Sequence, residues 1–146
     1  MDSYLFVIEI ENLLRKIGSM MNKKLRESLH KYDLTPPQFH ALIHTYKNKG
    51  VTIGELCDHM FLACSTVSGL VDRIEEKGWI RRIRDKQDRR IVRLELTESG
   101  EQLVEEILER RRATLVDNLK SISQKEQKEL ARYLKLLSEI MEPAKD

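Results

Sequence analysis

Cysteine is scarce in this chain: two residues in 146, Cys57 and Cys64, with no C-x-x-C pair. That excludes a disulfide framework and gives no zinc or thioredoxin-like signature, so both start out as reduced thiols. No apolar run approaches the ~18 residues that a membrane span needs, and the opening Met1-Asp2-Ser3-Tyr4 lacks a cationic leader region. A cytoplasmic protein is therefore expected. A Gly-rich phosphate loop is missing, and the only serine cluster has no partnered base, so nothing points to an enzyme and no cofactor is expected. There is also no internal repeat, low-complexity tract or disordered linker.

What is present is ordinary in amount but uneven in placement. The chain is 40% hydrophobic and 34% charged, with a net charge of +2. Between Lys77 and Arg93, however, eight basic residues (Lys77, Arg81, Arg82, Arg84, Lys86, Arg89, Arg90, Arg93) face two acids (Asp85, Asp88), a local balance of +6 that leaves −4 for the rest. Such asymmetry fits a polyanionic partner; a solvated charge run is the plainer alternative.

Apolar periodicity gives the order α-α-α-α-β-β-α-α, mainly helical with a small hairpin. The first 32 residues form one long helix with Ile10, Leu13, Leu14, Ile17, Met20, Met21, Leu25, Leu29 and Tyr32 at steps of three and four. Its start, Tyr4-Leu5-Phe6-Val7-Ile8, is apolar on more than one side and asks for a second packing partner. Thr35 caps a second helix whose first turn tolerates Pro36 and Pro37, and Thr52 with Glu55 opens a third by a capping box. A fourth runs from about Cys64 to Lys77 and stops at Gly78. Extended pieces follow at about 79–84 and 91–96, then a fifth helix from Thr97 to about Ile122, and a sixth opened by Ser123 and Glu126 and ended by Pro143.

The third and fourth helices, joined by a three-residue turn, suit a DNA major groove ~12 Å wide, which admits a helix with a small polar leading face. On the fourth helix that face carries Ser65, Thr66, Ser68, Gly69, Asp72 and Arg73. Gly69 fits close approach to DNA, or else eases a contact inside the domain. The hairpin tip, Asp85-Lys86-Gln87-Asp88-Arg89-Arg90, has neither glycine nor proline, so nothing in it suggests a tight turn selected for stability. Its arginines suit a minor groove, with neighbouring basic residues on phosphates.

Four blocks resemble the MarR family of bacterial winged helix-turn-helix regulators. They are Leu34-Thr35-Pro36-Pro37-Gln38-Phe39, Thr52-Ile53-Gly54-Glu55-Leu56, the run from Ser65 to Ile80, and Asp88-Arg89-Arg90 followed by Leu96-Thr97-Glu98-Ser99-Gly100. They follow family order and spacing over nearly the whole chain. The resemblance implies Arg90 at the minor groove braced by Asp88, Ser65, Thr66, Ser68 and Gly69 facing the major groove, and Arg73 near the backbone. Arg84, Lys86 and Arg89 complete the expected DNA contacts. It implies a DNA-binding lobe over 34–98 and a helical dimerisation region over 1–32 and 99–142. It also implies a homodimer on a pseudo-palindromic operator, more often a repressor, released by a small phenolic or carboxylate effector.

Three further signals have competing readings. His40 and His44, four apart on one helix, could share a metal but have no third ligand at a fitting spacing; helix packing or an effector-pocket wall is the alternative. Cys57 reads as a buried small residue, whereas Cys64, at a helix start, is a candidate redox thiol. Arg111 interrupts the fifth helix's stripe and could snorkel outward, pair across a dimer or hold a carboxylate. The rivals to a ligand-released regulator are a redox sensor acting through Cys64 and a winged-helix protein-interaction module without DNA binding.

Overall fold

The computed structural model describes residues 2–144. Six helices and three strands follow in the order α1 (Asp2–His30), α2 (Pro36–Lys47), β1 (Val51–Thr52), α3 (Ile53–Met60), α4 (Cys64–Glu76), β2 (Ile80–Arg84), β3 (Val92–Leu96), α5 (Glu98–Leu119) and α6 (Gln124–Met141). Local chemistry sets most of these boundaries. Thr35, Thr52 and Ser123 each accept a hydrogen bond from the backbone three residues on, while Gln38, Glu55 and Glu126 reach back to the cap. Gly78 takes φ +79 after α4, a left-handed conformation that costs glycine little, and the Trp79 N–H closes the helix end on the Ile74 carbonyl.

Two features depart from the sequence expectation. Val51–Thr52 is a third strand; it pairs antiparallel with β3, which lies between β1 and β2 in the sheet. At two residues it has no alternation to detect. The fifth helix ends at Leu119, short of Ile122, because the Gln127 side-chain amide donates to the carbonyls of Leu119 and Ile122 and fixes a turn there.

The chain divides into two compact units, one running to Leu108 and one from Glu109 onward. The core of the first unit gathers Leu29, Phe39, Leu42, Leu56, Val67, Val71, Ile74, Ile80, Leu94, Val104 and Ile107, each essentially sealed from solvent. Side chains of this size contribute roughly 1.5–3 kcal/mol each on full burial. With Val51 of β1, also buried, they come from every element between α1 and the first half of α5, so the sheet and the α3–α4 pair rest on one continuous core. Gly100 lets α5 start against that core: a β-carbon there would lie 2.0 Å from the Trp79 carbonyl oxygen.

Outside that core, apolar side chains are left in water. On α1 only Leu25 and Leu29 are buried, while Tyr4, Leu5, Phe6, Val7, Ile10, Leu13, Ile17 and Met21 are exposed. In the second unit α6 buries none of its residues, and Leu130, Tyr133, Leu134, Leu136, Ile140 and Met141 are open to solvent.

Candidate nucleic-acid interface

The α3–α4 pair turns through Phe61, Leu62 and Ala63. Phe61 sits at φ +54 and is 84% exposed, an unusual backbone for a bulky residue without burial in return. The Leu62 N–H donates to the Cys57 carbonyl at 3.3 Å, folding the chain back before α4 begins.

On α4, Val67, Val71 and Ile74 face the core, while Ser65, Thr66 and Arg73 are exposed and Ser68 and Gly69 half-buried. A β-carbon built on Gly69 meets no atom within 4 Å, so the glycine eases no contact inside the domain. Its open side leaves room for something from outside to approach the backbone.

The hairpin tip proves more ordered than its lack of glycine and proline suggested. The Asp85 carboxylate accepts from the Asp88 N–H at 3.0 Å, and the Asp88 carboxylate accepts from the Arg90 N–H at 3.1 Å, two side-chain mimics of a backbone turn. The Asp85 N–H and the Ile91 carbonyl then close the tip at 2.9 Å. Asp88 also takes both Nε and a terminal nitrogen of Arg90 at 3.1 Å, so the guanidinium is held as a fork with 90% of the side chain exposed. Arg90 beside Asp88 and the Asp88 N–H on Asp85 hold these two carboxyls below the usual range. Arg84 donates to the Arg89 carbonyl at 3.0 Å, and Lys86 and Arg89 are exposed beside it.

The local excess of +6 is smaller in space than along the chain. Arg81 pairs with Glu95 at 2.7 Å, Arg93 with Asp85 at 3.2 Å, and Lys77 with Asp33 at 3.5 Å. Arg82 is the most committed. From β2 its guanidinium reaches Asp72 and Glu75 of α4, both at 2.7 Å, while its own N–H donates to Glu75 at 3.2 Å. Only 25% of the Arg82 side chain is exposed. It locks the wing to α4, a role that the charge count along the chain conceals, although acids at 72 and 75 on one helix face hinted at a shared cation.

Elsewhere, Cys57 is buried, as expected, and Cys64 is exposed. The His44 ring stacks on His59 of α3 with centroids 3.7 Å apart, a pairing that the spacing of His40 and His44 did not reveal. No group of three or more histidine, cysteine or acidic residues fit to hold a metal is present among the described residues. Arg111 is exposed on α5. No helix among the described residues is long and apolar enough to cross a membrane.

A three-stranded wing beside a helix-turn-helix, with the second helix and the wing tip both presented to solvent, defines a DNA-binding transcriptional regulator of the winged helix-turn-helix class. The comparisons agree. The MarR family profile matches residues 32–91. An uncharacterized HTH-type transcriptional regulator of Bacillus subtilis, YsmB, is 40% identical over 82% of this chain and 82% of its own. The structure of a MarR family protein from Bacillus stearothermophilus superposes with a TM-score of 0.89 at 40% identity, covering 94% of this chain and 96% of that one. A MepR mutant of S. aureus bound to an oligodeoxyribonucleotide gives 0.66 at 29% identity over 90% and 98%. The chain belongs to the MarR family.

Proposed function

We propose that the chain acts as a homodimeric repressor that occupies a pseudo-palindromic operator and is released by a small effector. In this reading α4 enters the major groove with Ser65, Thr66, Ser68 and Gly69 leading and Arg73 near the backbone. Arg90 enters the flanking minor groove, and Arg84, Lys86 and Arg89 meet phosphates. The observation that carries it is the Asp88–Arg90 fork. A guanidinium held by two hydrogen bonds yet 90% exposed contributes little to folding, since exposed ion pairs are worth about 0–1 kcal/mol, and it is aimed at a partner. A winged-helix module that binds only protein has no use for that fork, and no enzymatic role is proposed.

Dimerisation is supported by the apolar side chains left in water on α1 and α6, an exposure that marks an interaction surface rather than a finished monomer. We assign residues 34–98 to the DNA-binding lobe and 1–32 with 99–142 to the dimerisation region. The first turns of α5 serve both, because Leu103, Val104 and Ile107 complete the lobe's core. Two α4 helices about 34 Å apart in the dimer would meet successive major grooves on one side of the duplex. A small phenolic or carboxylate effector follows from the family resemblance, and it acts only through unequal affinity for two spacings of the lobes.

The test selects bound fragments from the organism's own genome and measures affinity for the recovered duplex against salt. Affinity falls steeply as salt rises, and Arg90→Ala weakens binding by about 1–3 kcal/mol per half-site with the fold intact. A flat salt response, or undiminished affinity in Arg90→Ala, overturns the reading.

A further inference from the structure

The segment that leads into α4 differs in chemistry from the rest of the chain. Charged residues make up 34% of the sequence, yet from Met60 to Val71 there is no lysine, arginine, histidine, aspartate, glutamate, asparagine or glutamine. Phe61, Leu62, Ala63, Cys64, Ser65 and Thr66 are exposed in succession, four apolar residues followed by two small hydroxyls. The bulkiest of them, Phe61, stands mostly in water on a left-handed backbone at φ +54. This apolar patch runs without a break into the first turn of α4, which starts at Cys64. The first charges beyond the segment are no substitute for those it lacks. Asp72 is held by Arg82 at 2.7 Å, and Arg73 lies ~13 Å along the helix from Cys64.

That composition restricts how one base can be told from another. In the major groove, paired hydrogen bonds from arginine or lysine select guanine, those from asparagine or glutamine select adenine, and an acid accepts from cytosine. The segment offers none of these side chains. Serine and threonine hydroxyls both donate and accept, so they fit more than one base edge. The base feature that apolar side chains do recognise is the 5-methyl group of thymine, which projects into the major groove.

We propose that, given the DNA-binding reading above, the apolar head of α4 selects its half-site by thymine methyl groups, with Phe61 supplying the largest contact and Ala63 and Cys64 the surface beside it. Phe61 gains no burial from folding, so its unfavourable backbone has no return within the free chain. A methyl group packed against the ring gives that return only when DNA is bound. DNA is favoured over a second protein as the occupant because the patch continues directly into Ser65 and Thr66, the hydroxyls placed at the groove. The half-site read in this way is marked by thymines facing the start of α4.

The experiment replaces thymine by deoxyuridine, one position at a time, in the selected duplex. This removes the methyl and leaves every hydrogen-bonding group in place. Affinity is measured by fluorescence anisotropy for the parent chain, Phe61→Gly and Arg90→Ala. Burial of one methyl corresponds to about a fourfold change in affinity, and a loss of about that size is expected at one or more thymines of each half-site. At the same positions 5-methylcytosine paired with guanine should bind more tightly than cytosine paired with guanine, by a similar factor. In Phe61→Gly, whose backbone glycine accepts, the loss shrinks to below about twofold at one of those thymines at least, while circular dichroism and thermal denaturation show the fold intact. Arg90→Ala binds more weakly but keeps the methyl dependence, because the methyl lies in the major groove and not the minor one. Salt-dependent binding indifferent to every thymine methyl overturns the proposal and leaves the DNA-binding reading standing. Methyl dependence undiminished in Phe61→Gly also overturns it, and with unchanged duplex affinity assigns the patch to a protein partner instead. Absence of duplex binding by the parent chain overturns the DNA-binding reading and this proposal together.

Discussion

Replacing Arg82 with methionine keeps an unbranched apolar stem and removes the guanidinium with its charge, which separates a positioning role from a DNA contact. In the fold the loss is moderate. Hydrogen bonds to charged partners are worth about 1.5–3 kcal/mol each when buried, but the Asp72 and Glu75 side chains are 60% and 40% exposed, so water compensates much of it. A total of about 1–2 kcal/mol, or a Tm lower by roughly 5 °C, is expected for a chain of this size. The effect on DNA is larger than one lost cation explains, because two carboxylates on α4 become uncompensated. At about 10 Å from a phosphate each costs roughly 0.4 kcal/mol, cut to about a third by a Debye length of about 10 Å. Summed over the several phosphates flanking a groove, two such charges cost about 1 kcal/mol. Loosening of the α4–wing angle adds a similar amount, giving about 10- to 30-fold weaker binding. Fluorescence anisotropy on the selected duplex measures it, with Asp72→Asn/Glu75→Gln added to the Arg82→Met background. The double change recovers the electrostatic part, about fivefold. Affinity within twofold of the parent in Arg82→Met, or no recovery in the triple variant, refutes the reasoning.

Other perturbations probe the frame around the site. Gly100→Ala drives a β-carbon to 2.0 Å from the Trp79 carbonyl oxygen, where the backbone must shift; thermal denaturation should show about 3 kcal/mol or more of lost stability. Phe61→Gly removes a left-handed bulky residue whose ring is mostly in water, so urea denaturation should show stability equal to the parent or higher by up to about 1 kcal/mol. The pKa of His44 is lowered from 6.5 by burial first, then by His59, with Lys47 adding to and Glu55 opposing the effect. The fold thus prefers neutral His44: this stability is present above the unfolded value and lost as pH falls through the lowered one. The decline in Tm between about pH 7 and 5 should flatten in His44→Gln.

Much of this architecture was legible because it is written in local chemistry. Capping boxes at Thr52 and Ser123, the stop at Gly78 and the apolar stripe of α4 each act within a few residues, the distance over which sequence patterns are informative. The Asp88–Arg90 brace, implied by the family resemblance, is equally local. What escaped depends on partners far along the chain or on side chains standing in for backbone. β1 exists only because β3 lies beside it. Arg82 looked like one more cation until the sheet brought it under Asp72 and Glu75, and His44 met His59 only through the packing of α2 on α3. The hairpin tip was misread because aspartate carboxylates, rather than glycine or proline, make its turns.

The two-residue strand β1 has a bearing on how such a protein can be switched. Thr52 is at once the last residue of β1, opposite Arg93, and the cap of α3, while Arg93 donates to the carbonyl of Gly50 just before it. Sheet and helix therefore share a residue where other proteins would have a loop, and no slack remains between them. A signal arriving from outside can carry the reading head about as one piece, but cannot bend wing against helix. For the ligand-released dimer proposed above, operator variants that alter the spacing between half-sites should then be tolerated or refused according to the ligand state, whereas changes in the offset between helix and wing contacts within one half-site should be refused in every state.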